Sequence, residues 1–200
     1  MQHVNNIPWG DAETTGLMND PATVPLEFAF VVTDGDLNEL DSIGPFVFSA
    51  TEEELASMGD FVRNMHTKTG LLEKVRASTL KREDADDLFA GFLSKYLPAK
   101  GTPLETVSLN EPKGEYRGGQ LAGNSVKLDI AVLEKFFPKT YALLDYRVID
   151  VSTISELAKR WNPKAWASMP PKASDHTAMT DIRASIDELR YYRSNGFNGL

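Results

Sequence analysis

The 200-residue chain contains no cysteine. That absence excludes thiol nucleophiles, Cys-ligated zinc and disulfides together, and it fits a reducing compartment. Long apolar runs are missing as well. No stretch approaches the roughly 20 residues that a spanning helix needs, and Met1 to Gly10 lack the basic start and apolar centre of a signal peptide. A cytoplasmic protein with no membrane partner is expected. Positive charge is also short, with 21 Lys and Arg against 29 Asp and Glu and a formal net charge of -8. Such a balance excludes a protein that grips long duplex nucleic acid through many phosphates. Surplus carboxylates can instead gather hard cations where chemistry occurs. What is present is ordinary for a soluble globular chain, 42% hydrophobic and 25% charged. Its length predicts one domain over residues 1–200, with a core large enough to need no covalent staple.

Strands are expected near Asn6–Glu13, Leu26–Thr33 and Ile43–Phe48, where β-branched and aromatic residues dominate. The turn Thr33-Asp34-Gly35-Asp36 favours an antiparallel meander. Thr51 caps a helix opening on Glu52-Glu53-Glu54, whose charges complement the helix dipole. Leu88, Phe89, Phe92, Leu93 and Tyr96 recur at helical spacing within a predicted helix Arg82–Tyr96 and form a core stripe. From Pro98 to Gly123 the chain turns rich in Pro and Gly, with a candidate hairpin pairing Leu104–Leu109 with Tyr116–Leu121. A helix Val126–Phe137, a strand Arg147–Val151 and helices Ser152–Trp161 and Thr177–Tyr192 complete an α/β pattern.

Four acids and one histidine stand out. Asp11 and Glu13 are two apart at the end of a strand, so period-2 geometry aims both at one face. Two such carboxylates repel unless a cation sits between them, although a solvated strand end would look the same. Asp129 lies in the apolar helix Val126-Lys127-Leu128-Asp129-Ile130, where it could simply mark a polar face. Asp181 follows His176 by five residues. If Ser174 or Asp175 caps the last helix, His176 stands at its entrance, where a capping or surface histidine is the plain alternative.

The order Asp-x-Glu, Asp, His-x4-Asp resembles the DEDDh 3′–5′ exonucleases. Trp9-Gly10-Asp11-Ala12-Glu13-Thr14-Thr15-Gly16-Leu17, Met65-His66-Thr67-Lys68-Thr69-Gly70-Leu71, Gly123-Asn124-Ser125, Asp145-Tyr146-Arg147-Val148-Ile149-Asp150-Val151-Ser152-Thr153-Ile154 and Glu188-Leu189-Arg190-Tyr191-Tyr192-Arg193 resemble, more narrowly, the oligoribonuclease family. The likeness spans nearly the whole chain outside Pro98–Gly123. It implies an RNase H-like α/β fold, a mixed central sheet with helices on both sides. It also implies a metal-dependent exoribonuclease on RNA of two to about five nucleotides, using two divalent ions, Mg or Mn. Asp11, Glu13, Asp129 and Asp181 become the metal ligands and His176 the general base. Leu17 resembles an apolar wedge on a terminal base, Phe61 and His66 flank the nucleotide, and Ser125 is a polar group beside it. Tyr146, Arg147 and Ser152 resemble a cap for the substrate's 5′ phosphate, supplied in trans within a homodimer. Asp150 is expected to be structural.

The chain departs from the family pattern in four places. Pro8 and Gly10 interrupt the first strand and are expected to weaken its ladder. Leu128 and Ile130 replace polar neighbours of Asp129, and Phe61 replaces a tryptophan. In the extra hairpin, Lys113 and Arg117 either bring positive charge to the substrate or belong to a solvated flap. The rival functions are a DEDDh exonuclease of broader range on single-stranded DNA or RNA, and a non-catalytic nucleotide-binding relative.

Overall fold

Three strands, β1 (Ile7–Thr14), β2 (Pro25–Thr33) and β3 (Glu39–Val47), form an antiparallel meander in the computed structural model of the chain, which describes residues 1–104, 114–171 and 177–195. Two short strands, β4 (Ala122–Gly123) and β5 (Ile149–Asp150), add in parallel beside β1, giving the sheet order β3-β2-β1-β4-β5. The helices are α1 (Glu52–Ala56), α2 (Asp60–Lys68), α3 (Leu71–Ala77), α4 (Arg82–Leu93), α5 (Lys127–Phe136), α6 (Pro138–Tyr141), α7 (Val151–Trp161), α8 (Pro163–Ala167) and α9 (Ala178–Asn195).

Alternation along the strands separates two cores. Phe28, Phe30 and Val32 of β2 face Phe89, Phe92 and Leu93 of α4 and Val132 and Leu133 of α5. On the opposite face, Trp9, Ala29 and Val31 pack with Val151 of α7 and Ala178, Ile182 and Ile186 of α9. A third cluster joins Val24 and Leu26 to Leu55, Met58 and the apolar side of α3. Because helices cover both faces, every residue of β2 is buried, which accounts for its nearly unbroken apolar run. The mixed sheet with helices on both sides is the expected α/β architecture.

Pro8 and Gly10 do not interrupt the β1 ladder. β1 pairs with β2 from Ile7↔Thr33 to Glu13↔Glu27 and shifts register only between Glu13 and Thr14. Gly10 is accommodated because the space a side chain would take is filled: a Cβ there would meet Leu121 and Phe30 carbons at 3.1 Å. Next to it Trp9 is fully buried, and its indole Nε1 donates to Thr33 Oγ1 at 3.0 Å.

Other boundaries move for local reasons. β3 begins at Glu39 rather than Ile43, because the Asp34 carboxylate accepts the Asp36 and Asn38 N–H groups and turns the chain straight into pairing. The helix after Lys81 ends at Leu93, and Leu88 lies on its exposed side. Helices α2 and α3, unexpected from the sequence, are separated by Gly70 in the left-handed region at φ 70°. Of the proposed hairpin only the base is described: Leu104 N donates to Gly114 O and Tyr116 N to Thr102 O. Residues 105–113, including Lys113, lie outside the described residues, and Arg117 is exposed. Beyond Tyr116 the predicted strand is not formed. Gly118, at φ 120°, instead lets the chain cross against Leu143–Asp145, where Asp145 N donates to Gly119 O at 2.8 Å.

Candidate active site

Packing of α9 across β1 and β2 sets the geometry of the site. Ala178 and Ile182 bury against Trp9 and Ala29, so Asp181, between them on the helix, arrives beside the carboxylates at the end of β1. Ligand-capable oxygens of Asp11, Glu13 and Asp181 all lie within 4.8 Å of one another. Asp129 reaches the same region from α5 on the other side. Its Oδ1 accepts the Ala12 N–H at 2.9 Å, so it joins the cluster electrostatically while bonded to the backbone of the intervening residue. The tight group therefore contains three of the four predicted ligands, with the fourth adjoining it.

The electrostatics are strained in one direction. Burial pushes the Asp11 carboxyl well above the usual aspartate range, and Asp129, Glu13, Asp181 and Glu27 push it further. Glu13 rises from 4.5 to about 8, again through burial first and then Asp181, Glu27 and Asp129. Burial raises Asp129 to about 7, opposed by the Ala12 N–H bond and assisted by Asp150. With Glu13 and Asp129 buried, Asp11 and Asp181 half-buried, and every donor an oxygen that repels the others, this set fits hard divalent cations, which would supply the positive charge it lacks.

His66 is wholly buried behind Glu13. Its Nε2 donates to Thr14 O at 2.9 Å, and its Nδ1 stands 3.9 Å from Glu13 Oε2. Leu17 and Phe61, by contrast, are 68% and 81% exposed, unusual for large apolar side chains. Leu17 sits on a loop held by Thr14 Oγ1 donating to Gly16 O and Thr23 Oγ1 donating to Leu17 O. Ser174, Asp175 and His176 lie outside the described residues.

The parallel strands β4 and β5 end at a second group of polar side chains. Asp150 caps α7 and accepts both Ser125 N at 3.1 Å and Ser152 N at 2.9 Å, the structural role expected of it. These bonds hold Ser125 at φ 57° with its hydroxyl 3.1 Å from that of Ser152. Ser152 Oγ donates to Asn124, whose amide nitrogen donates to Ser185 and Glu188 on α9. Tyr146 is 74% exposed, with the Arg147 guanidinium 4.8 Å from its ring centre. Among the described residues no hydrogen bond or ion pair links the Arg147 side chain to the acidic cluster.

Two residues of this region escaped the sequence reading, Glu27 and Asn124. Glu27 left a trace there, a lone acid inside an apolar strand on the same parity as Glu13's cross-strand face. Asn124 left only its place beside Ser125.

A family profile described as Exonuclease, RNase_T, matches residues 9–103 and 113–189. A zinc-bound complex of Escherichia coli exonuclease I with single-stranded DNA superposes with a TM-score of 0.66 at 16% identity, covering 97% of this chain and 41% of that one. Fold and acidic cluster together define an exonuclease domain. The oligoribonuclease of Corynebacterium glutamicum (strain R) is 39% identical over 194 residues, spanning 96% of this chain and 80% of its own. That of Chromobacterium violaceum is 36% identical over 194 residues and 97% of each chain, and a probable oligoribonuclease of Drosophila melanogaster is 38% identical over 193 residues, 96% and 82%. This chain belongs to the oligoribonuclease family.

Proposed function

We propose that the chain is a 3′–5′ exoribonuclease that hydrolyses dinucleotides and slightly longer RNA to nucleoside monophosphates. The observation that carries this reading is the convergence of Asp11, Glu13 and Asp181 within 4.8 Å, beside Asp129, in a chain of this family. Asp11, Glu13, Asp129 and Asp181 would hold two divalent ions, Mg or Mn, which would activate the attacking water and neutralise charge building on the scissile phosphate and the departing 3′ oxygen. His176 takes the proton from that water. An imidazole, whose ordinary pKa is about 6.5, suits such a task near neutral pH.

Leu17 and Phe61 supply exposed apolar surfaces on which bases stack. Stacking is worth about 1–3 kcal/mol per base and is largely indifferent to base identity, as a scavenger of mixed RNA ends requires. His66 is wholly buried and backs Glu13, its Nδ1 3.9 Å from Oε2, so any part it takes in holding the nucleotide passes through that carboxylate. Ser125 offers its hydroxyl beside the nucleotide, and Ser152 belongs with Tyr146 and Arg147 to the cap for the 5′ phosphate.

Arg147 suits bidentate capture of a terminal phosphate, with Tyr146 stacked against it. Tyr146 and Arg147 are both exposed, which leaves the pair open to a second copy, and the cap is given in trans within a homodimer. Such a cap closes the site to longer strands. No helix among the described residues is long and apolar enough to cross a membrane, and a cytoplasmic setting agrees with the lack of cysteine.

The test is a 5′-labelled RNA ladder from dinucleotides upward, with Mg²⁺, Mn²⁺ or EDTA. Dinucleotides should be cleaved with the highest kcat/KM, and EDTA should abolish turnover. Equal efficiency along the ladder, or hydrolysis without metal, would contradict the reading.

A further inference from the structure

Glu27 occupies an improbable place for a charge. It lies in β2 between Leu26 and Phe28, both fully buried, and is itself only 2% exposed. The β1–β2 register sets it directly opposite Glu13, a pairing of like charges that destabilises a ladder unless something compensates. The one hydrogen bond of its side chain among the described residues is long-range: Oε1 accepts the N–H of Ala178 at 2.9 Å.

Ala178 is the first residue of α9. N–H groups of a helix's first turn have no partner within the helix, and a carboxylate placed there both satisfies one and complements the positive end of the dipole. Here the cap comes from a strand 151 residues away in sequence. Burial pushes the Glu27 carboxyl above its ordinary value, opposed by the Ala178 N–H bond and then by Lys74 of α3, with Asp181 adding to the rise.

Asp181 stands three residues beyond the anchored position, and its own N–H donates to Thr177 O at 3.0 Å. The first turn of α9 is thus fastened to β2 beside the point where Glu13 leaves β1. We infer that Glu27 is a positioning residue of the metal site: through Ala178 it fixes the start of α9 on the sheet and so sets Asp181 against Asp11 and Glu13. This rests on the reading of those carboxylates as metal ligands. Glu27 is not one of the carboxylates that gather within 4.8 Å of one another, and its effect passes through the helix.

The experiment titrates the full-length chain with Mn²⁺ in a calorimeter, without RNA, and follows dinucleotide hydrolysis in parallel. Glu27→Met keeps the side chain's length and apolar stem but removes the acceptor. It should bind Mn²⁺ about 10- to 100-fold more weakly, the usual effect of losing an outer partner of a metal ligand. It should also lower kcat while leaving KM for the dinucleotide nearly unchanged. Glu27→Gln keeps an oxygen in place of Oε1 and should restore both quantities to within about threefold of wild type. Thermal melts establish that each variant is folded.

Ala178→Pro offers a second route if Glu27→Met does not fold. It deletes the donor at a helix position where proline is tolerated, and the same loss of Mn²⁺ affinity is expected. Wild-type Mn²⁺ affinity in Glu27→Met or Ala178→Pro would overturn the inference, as would a Glu27→Gln no better than Glu27→Met. Asp11→Asn in the same titration separates the two levels. If it binds Mn²⁺ like wild type, the metal-site reading itself fails and the role of Glu27 falls with it.

Discussion

Glu13 is buried, faces Asp181, and has Glu27 across the ladder, which together hold its carboxyl near 8. Asp11 and Asp129 are shifted in the same direction. A carboxyl whose folded pKa exceeds its unfolded value binds more protons in the native state between the two, so stability is greatest at the acid end of that window and declines as pH rises. In EDTA, melting temperature should therefore fall by roughly 5–10 °C between pH 5.5 and 8. Mn²⁺ should offset the loss at pH 8, and Glu13→Gln should flatten the slope. A metal-free melting temperature that rises over that range would contradict the picture. His176→Ala should cost about 10²- to 10⁴-fold in kcat and remove the acidic limb of the rate profile. If both survive, another group takes the proton. Asp11 and Glu13 were legible as a pair because strand alternation is a local rule. Asp129 and Asp181 gained meaning only through the resemblance, and Glu27 stayed hidden because the contact that defines it joins β2 to the first turn of α9.

Strands β1 and β2 and helices α4, α5, α7 and α9 were legible because their apolar residues recur over several turns or pleats. Short helices such as α2 and α3 carry too few repeats, and the positive-φ glycine between them reads in sequence as a plain loop. The stretch after Tyr116 departs from its sequence pattern for a different reason. Gly118 falls within a strand-like run of sequence, whereas it serves a backbone crossing. A Cβ there would lie 2.6 Å from Leu143 O and 2.8 Å from Asp145 N, and its φ of 120° already disfavours any side chain. Gly118→Ala should cost roughly 2–4 kcal/mol. Because Asp145 leads directly into Tyr146 and Arg147, the variant should also lose part of its preference for dinucleotides over longer RNA. Gly91→Ala in α4 is the matched control: nothing lies within 4 Å of the added carbon, and the change should be neutral or stabilising. A Gly118→Ala protein as stable as Gly91→Ala would remove the crossing as an explanation.

At the scale of the assembly, a shared site has a signature that no single chain can produce. If Arg147 of one copy completes the site built on Asp11 of the other, mixing Asp11→Ala with Arg147→Ala subunits yields one doubly damaged site and one intact site per mixed dimer. Each parent should be nearly inactive on dinucleotides, and tagged, purified mixed dimers should regain activity toward that of one intact site. No recovery in confirmed mixed dimers would place the cap in cis. The placement of the tryptophans makes such states visible without labels. Trp9 is sealed in the core two residues from Asp11, about 7 Å along the strand, whereas Trp161 is 72% exposed and Trp166 lies under the Lys159 ammonium near the surface. Intrinsic fluorescence therefore divides into one emitter that a paramagnetic ion at the carboxylates would quench and two that a dissolved collisional quencher would reach. Loading of the site and coverage of the outer surface can be followed as separate optical signals in the unmodified chain.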